Sequence, residues 1–136
     1  MNIKPITPLY SVSEQIFPED LSVIAAAGYK TVICNRPDNE NPPHLRADEI
    51  SKAAAAAGIS FHSLPLAHQT MNSENITAQF EIANSVDGPV LAYCASGTRS
   101  SVIWALSQAG KQSADAILEQ TAKAGYDLSG LRNALS

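Results

Sequence analysis

The thirteen residues from Pro89 to Ser101 (Pro89-Val90-Leu91-Ala92-Tyr93-Cys94-Ala95-Ser96-Gly97-Thr98-Arg99-Ser100-Ser101) constrain this chain more than any other stretch. An apolar run ends at Cys94, the six residues from Cys94 to Arg99 form a small, glycine-containing loop, and Val102, Ile103, Trp104, Ala105 and Leu106 follow at helical spacing. This order predicts a strand, a tight turn and a helix. Backbone N–H groups of such a turn, together with the positive end of the helix, point at one place above the cysteine sulfur. They favour an anionic sulfur, which is the nucleophilic form. Arg99 adds a fixed charge and a planar fork of donors suited to an oxyanion. Ser100 and Ser101 are of the residue type that caps a helix. Each part alone has a plain explanation: a buried cysteine is usually an inert small hydrophobe, Gly97 serves a turn, and Arg99 makes a surface ion pair. Assembled in one segment, they predict a catalytic anion site with Cys94 and Arg99 as its reacting pair, lined by Ala95, Ser96, Gly97, Thr98 and Ser100.

The rest of the chain alternates in the same way. Residues 3 to 16 read as extended pieces broken by Pro5 and Pro8, edge strands or an opening hairpin. Pro18-Glu19-Asp20 starts a helix, and Gly28 closes it. Thr31–Cys34 is a short apolar strand, followed by the polar, proline-broken loop from Asn35 to Pro43. Ala47–Ala57 is an alanine-rich helix, Ile59–Leu66 a strand interrupted by Pro65, Ala67–Asn75 a polar loop, and Ile76–Ser85 a helix. Gly110 ends the helix after the cysteine loop, Ser113 caps Ala114–Ala124, and a last short helix begins at Asp127 or Ser129. Such alternation with short connections predicts a single α/β domain with a mostly parallel sheet flanked by helices. Ligands of such sheets bind beyond the carboxyl ends of the strands. The loops after Cys34, after Leu66 and after Tyr93 therefore share one rim.

Three side chains on the first two rim loops are candidates for the same site. Asp38 is placed to act as a general acid or to hold Arg36 and Arg99, or else simply forms an exposed turn. Arg36 joins the anion site or pairs with Glu40. His68 offers a proton or is merely solvated. His62 lies inside a strand and reads as structural, His44 as exposed beside two prolines, and Tyr93 and Trp104 as packing residues.

The 136 residues carry a formal charge of −4, which argues against a nucleic-acid footprint. No apolar run approaches membrane-spanning length, and the N-terminus lacks the apolar core of a secretory signal. Cys34 and Cys94, the two cysteines, fit a reducing cytoplasm, and sequence alone does not decide whether they pair. Neither belongs to a cluster with metal-ligand spacing, so no metal is implied, and no cofactor either. The expected partner is a small anionic substrate.

With these residues placed, the chain resembles the cysteine-dependent tyrosine and dual-specificity phosphatases, and most closely the phosphatase-like domain of the beta-lactamase hydrolase-like proteins. The resemblance rests on Ser13-Glu14-Gln15-Ile16, Pro18-Glu19-Asp20-Leu21, Ala27-Gly28-Tyr29-Lys30-Thr31-Val32-Ile33, Asn35-Arg36-Pro37-Asp38 and, above all, Gly88 to Ser100. It implies a tyrosine-phosphatase-like fold over residues 1–136 and a phosphocysteine chemistry. Three features depart from that pattern. Phosphatases usually carry His before the nucleophile, where this chain has Tyr93. They place five residues between Cys and Arg, where only Ala95, Ser96, Gly97 and Thr98 intervene here. No Asp follows Leu64-Pro65-Leu66, where the dual-specificity enzymes keep their general acid.

The short loop is similar to that of rhodanese sulfurtransferases, which cradle a cysteine persulfide. A phosphoryl group presents three equatorial oxygens and its leaving oxygen wants an acid. A persulfide adds one sulfur with one charge, for which a tighter ring of N–H groups is sufficient. On this reading sulfur transfer through a Cys94 persulfide, from a sulfane-sulfur donor, is favoured. Phosphate monoester hydrolysis is the alternative, and a non-catalytic anion-binding or thiol-redox module using Cys34 and Cys94 is the third.

Overall fold

In the computed structural model, which describes residues 1–136, five strands form one sheet: β1 (Lys4–Thr7), β2 (Tyr10–Ser13), β3 (Thr31–Cys34), β4 (Ser60–Ser63) and β5 (Val90–Tyr93). Their order is β1-β2-β5-β3-β4, with β1 antiparallel to β2 and every other pair parallel. The opening hairpin is as expected, but of its two strands only β1 lies at a sheet edge. β2 pairs with β5 and is buried along its whole length, while Pro5 and Pro8 stay outside it. Proline is tolerated on the edge because no ladder N–H is lost there.

Helices α1 (Asp20–Ala26), α2 (Ala47–Ala56), α3 (Ser73–Asn84), α4 (Thr98–Gln108), α5 (Ala114–Lys123) and α6 (Arg132–Leu135) cover the sheet. Side chains alternate across it, as period-two strands require. Val32, Cys34, Leu91 and Tyr93 pack with Leu21, Ile24, Ile50 and Ala54 on the α1–α2 face. Ile33, Val90 and Ala92 pack with Trp104, Ile117, Leu128 and Leu135 on the other. Complete burial of a side chain such as Ile33 contributes about 1.5–3 kcal/mol.

Two boundaries differ from the sequence reading. β4 stops at Ser63, before Pro65, and α3 starts at Ser73 because Asn72 Oδ1 accepts the Asn75 N–H at 3.0 Å. The register sets the functional rim. Ser13, Tyr93, Cys34 and Ser63 lie in one row across β2, β5, β3 and β4. The residues that leave this row, Glu14, Cys94, Asn35 and Leu64, therefore start their loops side by side.

Candidate active site

Cys94 follows the last residue of β5 and is almost fully buried. The loop bends back over it: the Gly97 N–H donates to Cys94 Sγ at 3.1 Å. The N–H groups of Ala95, Ser96, Arg99 and Ser100 donate to no protein acceptor and so are left for a ligand. The exit of β2 supports the loop from one side, through Cys94 N–H to Ser13 O at 3.4 Å and Gln15 N–H to Ala95 O at 3.2 Å. From the other side the Tyr126 hydroxyl donates to Ser96 O at 2.9 Å.

Gly97 is where the turn needs glycine. Its φ of +93° lies in the left-handed region, and a Cβ there would overlap the Tyr126 hydroxyl. It also stands at the N-terminus of α4, which starts at Thr98. The serines expected to cap the helix do something else. Ser101 Oγ donates back to Gly97 O at 2.8 Å, and Ser100 Oγ donates inward to Asn35 Oδ1 at 2.8 Å. Ser100 is fully buried and its hydroxyl is committed to Asn35, so only its N–H is left unpaired.

Arg99 reaches across the rim to both neighbouring loops. Nη1 donates to Glu40 Oε2 at 2.8 Å and to Leu66 O at 2.9 Å, and Nη2 donates to Glu40 Oε1 at 2.7 Å. Three of the five guanidinium protons are used. The two left, on Nε and Nη2, share one edge and form a free two-bond fork. The Glu40 bonds raise the pKa of Arg99 further, and the same bonds, aided by Arg36, hold the Glu40 carboxyl below its ordinary range.

The three rim loops thus converge, but not through the carboxylate that the sequence suggested. Asp38 Oδ1 accepts the Ala47 N–H at 2.8 Å and so caps α2, while Glu40, two residues on, holds both arginines. A turn of 3₁₀ helix at Asp38–Glu40 separates the two roles. Arg36 is taken up by Glu40 and Gln15: Nε to Glu40 Oε1 at 3.4 Å, Nη2 to Glu40 O at 3.0 Å, Nη1 to Gln15 Oε1 at 3.2 Å. His68 is exposed on the turn that follows Leu66. Ser96 and Thr98 bond to each other through their hydroxyls at 3.0 Å at the exposed lip, beside exposed Ala95.

Cys34 and Cys94 are both free thiols. Cys34 donates to Arg36 O at 3.4 Å, and burial pushes its pKa up. The Tyr93 hydroxyl beside it in the register is buried without a partner, and burial raises its pKa strongly. No group of histidine, cysteine and carboxylate side chains is arranged to hold a metal ion. No helix is long and apolar enough to cross a membrane.

The chain belongs to the family described as beta-lactamase hydrolase-like protein, phosphatase-like domain, whose sequence profile matches residues 2–111. A beta-lactamase hydrolase-like protein of Xylella fastidiosa is 29% identical over 130 residues, which cover 94% of this chain and 30% of that relative. The chain therefore spans less than a third of its length. A crystal structure of a candidate phosphatase from Neisseria meningitidis superposes with a TM-score of 0.88 at 30% identity, covering 100% of this chain and 97% of that one. TpbA of P. aeruginosa, in complex with phosphotyrosine, shares the fold with a TM-score of 0.64 at 19% identity, covering 98% and 90%. The scaffold is that of the cysteine-dependent phosphatases.

Proposed function

We propose that this domain is a cysteine-dependent phosphatase in which Cys94 is the nucleophile and Arg99 the oxyanion clamp. The observation that carries this reading is a sulfur held by the Gly97 N–H in the same loop as the free Nε–Nη2 edge of Arg99. Cys94 Sγ attacks phosphorus as the ester P–O bond breaks, and the charge on the equatorial oxygens is met by that edge and by the N–H groups of Ala95, Ser96, Arg99 and Ser100. Asp38, whose second carboxylate oxygen is not used in capping α2, or His68, exposed on the loop after Leu66, protonates the leaving oxygen. Water then attacks phosphorus, the S–P bond breaks, and inorganic phosphate leaves with the thiolate restored. The family and the fold support phosphate as the transferred group, and the phosphotyrosine bound by TpbA makes an aryl phosphate the first probe. The test is burst kinetics with an aryl phosphate, with trapping of a phosphorylated Cys94. A Cys94→Ser variant that turns over as fast as the wild type overturns the reading.

A second reading, sulfur transfer, is favoured by the spacing. Only four residues separate Cys94 from Arg99, and the Asp38 carboxylate is engaged as a helix cap. In this scheme the thiolate takes a sulfane sulfur from an anionic donor and passes it to an acceptor thiol. The smaller ring suits the single charge of a persulfide, and no acid is needed when sulfite or a thiolate leaves.

A further inference from the structure

Asn35 is the first residue after β3 and is completely buried. Every hydrogen-bonding group it has is used. Its N–H donates to Tyr93 O at 2.8 Å and its carbonyl accepts the Leu66 N–H at 2.9 Å. Its side-chain amide donates to Leu64 O at 2.9 Å and to Gln79 Oε1 at 3.0 Å. Its Oδ1 accepts from Gln79 Nε2 at 3.1 Å and from Ser100 Oγ at 2.8 Å. Gln79, on α3 and 1% exposed, spends its second proton on the Tyr10 hydroxyl at 3.1 Å, which in turn donates to Ser100 O at 2.9 Å. Each side-chain proton of the four residues meets one acceptor, so the two amides have a single satisfying orientation.

This network grips the anion site at two points. Ser100 is held by its hydroxyl and its carbonyl, which fixes the first turn of α4 where the Arg99 and Ser100 N–H groups emerge. Leu64 and Leu66 are both tied to Asn35, and the Leu66 carbonyl takes one proton of Arg99. We infer that Asn35, with Gln79 as its partner, is the positioning residue of this site: it sets the distance between the open edge of Arg99 and the N–H groups of the loop. The inference rests on the reading of Cys94 as the nucleophile of an anion site, and holds for phosphate or sulfur alike. Leaving one of these buried partners unpaired costs its desolvation and weakens the bonds that share its partners.

The experiment uses two alkylating agents on Cys94 in the whole chain, with adducts located by peptide mass spectrometry. Iodoacetamide is neutral, whereas iodoacetate must bring its carboxylate into the cradle. The ratio of the two rates therefore reads anion capture separately from thiol reactivity. The variants are Asn35→Ala, Gln79→Met and Ser100→Ala, with Ile82→Ala as a control on α3 outside the network. In the wild type iodoacetate is expected to be the faster. In the three network variants the ratio is expected to fall about tenfold, the loss of one hydrogen bond to a charged group, while Ile82→Ala keeps it at a comparable melting temperature. If Asn35→Ala does not fold, the conservative Ser100→Ala carries the test, since it deletes one hydroxyl. An unchanged ratio in Ser100→Ala and Gln79→Met overturns the inference, as does an equal fall in Ile82→Ala. A wild type without preference for iodoacetate overturns the anion-site reading itself, and the inference with it.

Discussion

Glu40 closes on the end of the Arg99 guanidinium with both carboxylate oxygens, at 2.7 and 2.8 Å, from a loop fifty-nine residues away in sequence. The contact chooses which edge of the arginine faces the substrate. With the Nη1–Nη2 end occupied and Leu66 O taking the remaining Nη1 proton, only the Nε–Nη2 edge is open. Glu40 also binds Arg36, there along the Nε–Nη2 edge, the edge that stays open on Arg99.

Glu40→Gln keeps the size of the side chain and removes its charge. Turnover of an aryl phosphate or of thiosulfate is expected to fall about tenfold, because a charge-assisted pair becomes a single neutral bond. The effect has a defined pH dependence. The folded-state pKa of Glu40 lies below its ordinary value of 4.5. Its contribution to stability is therefore complete above that value and is lost as the pH falls through the lower folded one. Melting temperatures of wild type and Glu40→Gln should differ by a constant amount from pH 8 to pH 5 and converge below. A difference that widens in acid contradicts the assignment.

Why Asp38 stood out in the sequence and Glu40 did not is a matter of reach. Both follow Arg36 in one polar loop, and no period distinguishes them. The 3₁₀ turn directs one carboxylate to the N-terminus of α2 and the other to the rim, and the target of each exists only after folding. The Cys94–Arg99 turn and the parallel sheet were legible because both are written in local order: apolar run, glycine, apolar helix face. Gln79 shows the opposite case. It lies among the residues of an amphipathic helix, and its role depends on Asn35, forty-four positions earlier. Ser100 read as a helix cap because serine usually is one there, yet its hydroxyl turned to Asn35 instead. The prolines of the N-terminal strands point to edge strands or a hairpin, and the hairpin forms; what no local pattern announces is the parallel partner of β2, a crossover strand.

Arg99→Lys keeps the charge and loses the fork. A lysine ammonium cannot meet both Glu40 oxygens, Leu66 O and two substrate oxygens from one point. Turnover is expected to fall by about a hundredfold, the usual cost of one oxyanion donor, while the fold persists and the melt drops only by the loss of the Glu40 and Leu66 bonds. Steady-state kinetics beside a melting curve checks it. Equal turnover in the two proteins removes the clamp role.

Gly97 and Gly88 separate backbone strain from the close approach of Tyr126. Both have φ near +100°, but an added Cβ meets nothing within 4 Å at Gly88 and meets the Tyr126 hydroxyl at Gly97. Gly88→Ala should cost roughly 1–2 kcal/mol from the left-handed backbone alone. Gly97→Ala should cost more, because Tyr126 must leave and its bond to Ser96 O is lost. Denaturant melts measure both. Equal costs mean that Tyr126 does not shape the loop.

The choice between phosphate and sulfur turns on what the ring from Cys94 to Arg99 can hold. If phosphorus is the target, an aryl phosphate gives a covalent S–P adduct and releases phosphate, and Asp38→Asn or His68→Gln slows the reaction several-fold wherever protonation of the leaving oxygen limits it. If sulfur is the target, thiosulfate suffices: the Cys94 thiolate attacks the sulfane sulfur, the S–S bond breaks, and sulfite departs with the electron pair. The protein then carries one added sulfur on Cys94, which cyanide removes as thiocyanate, restoring the thiolate. Asp38→Asn and His68→Gln leave that cycle nearly unchanged, since sulfite needs no proton to leave. Intact-protein mass spectrometry after each reagent reads the two adducts directly, and Cys94→Ser abolishes both because serine lacks an adjacent base. Inserting one residue between Ala95 and Arg99 widens the ring, and should raise the phosphate reaction relative to the sulfur one. Efficient phosphate release dependent on Cys94, with no persulfide formed, assigns the site to phosphate. A persulfide that turns over, with phosphate hydrolysis at background, assigns it to sulfur and makes the four-residue spacing the feature that sets the chemistry on this phosphatase scaffold.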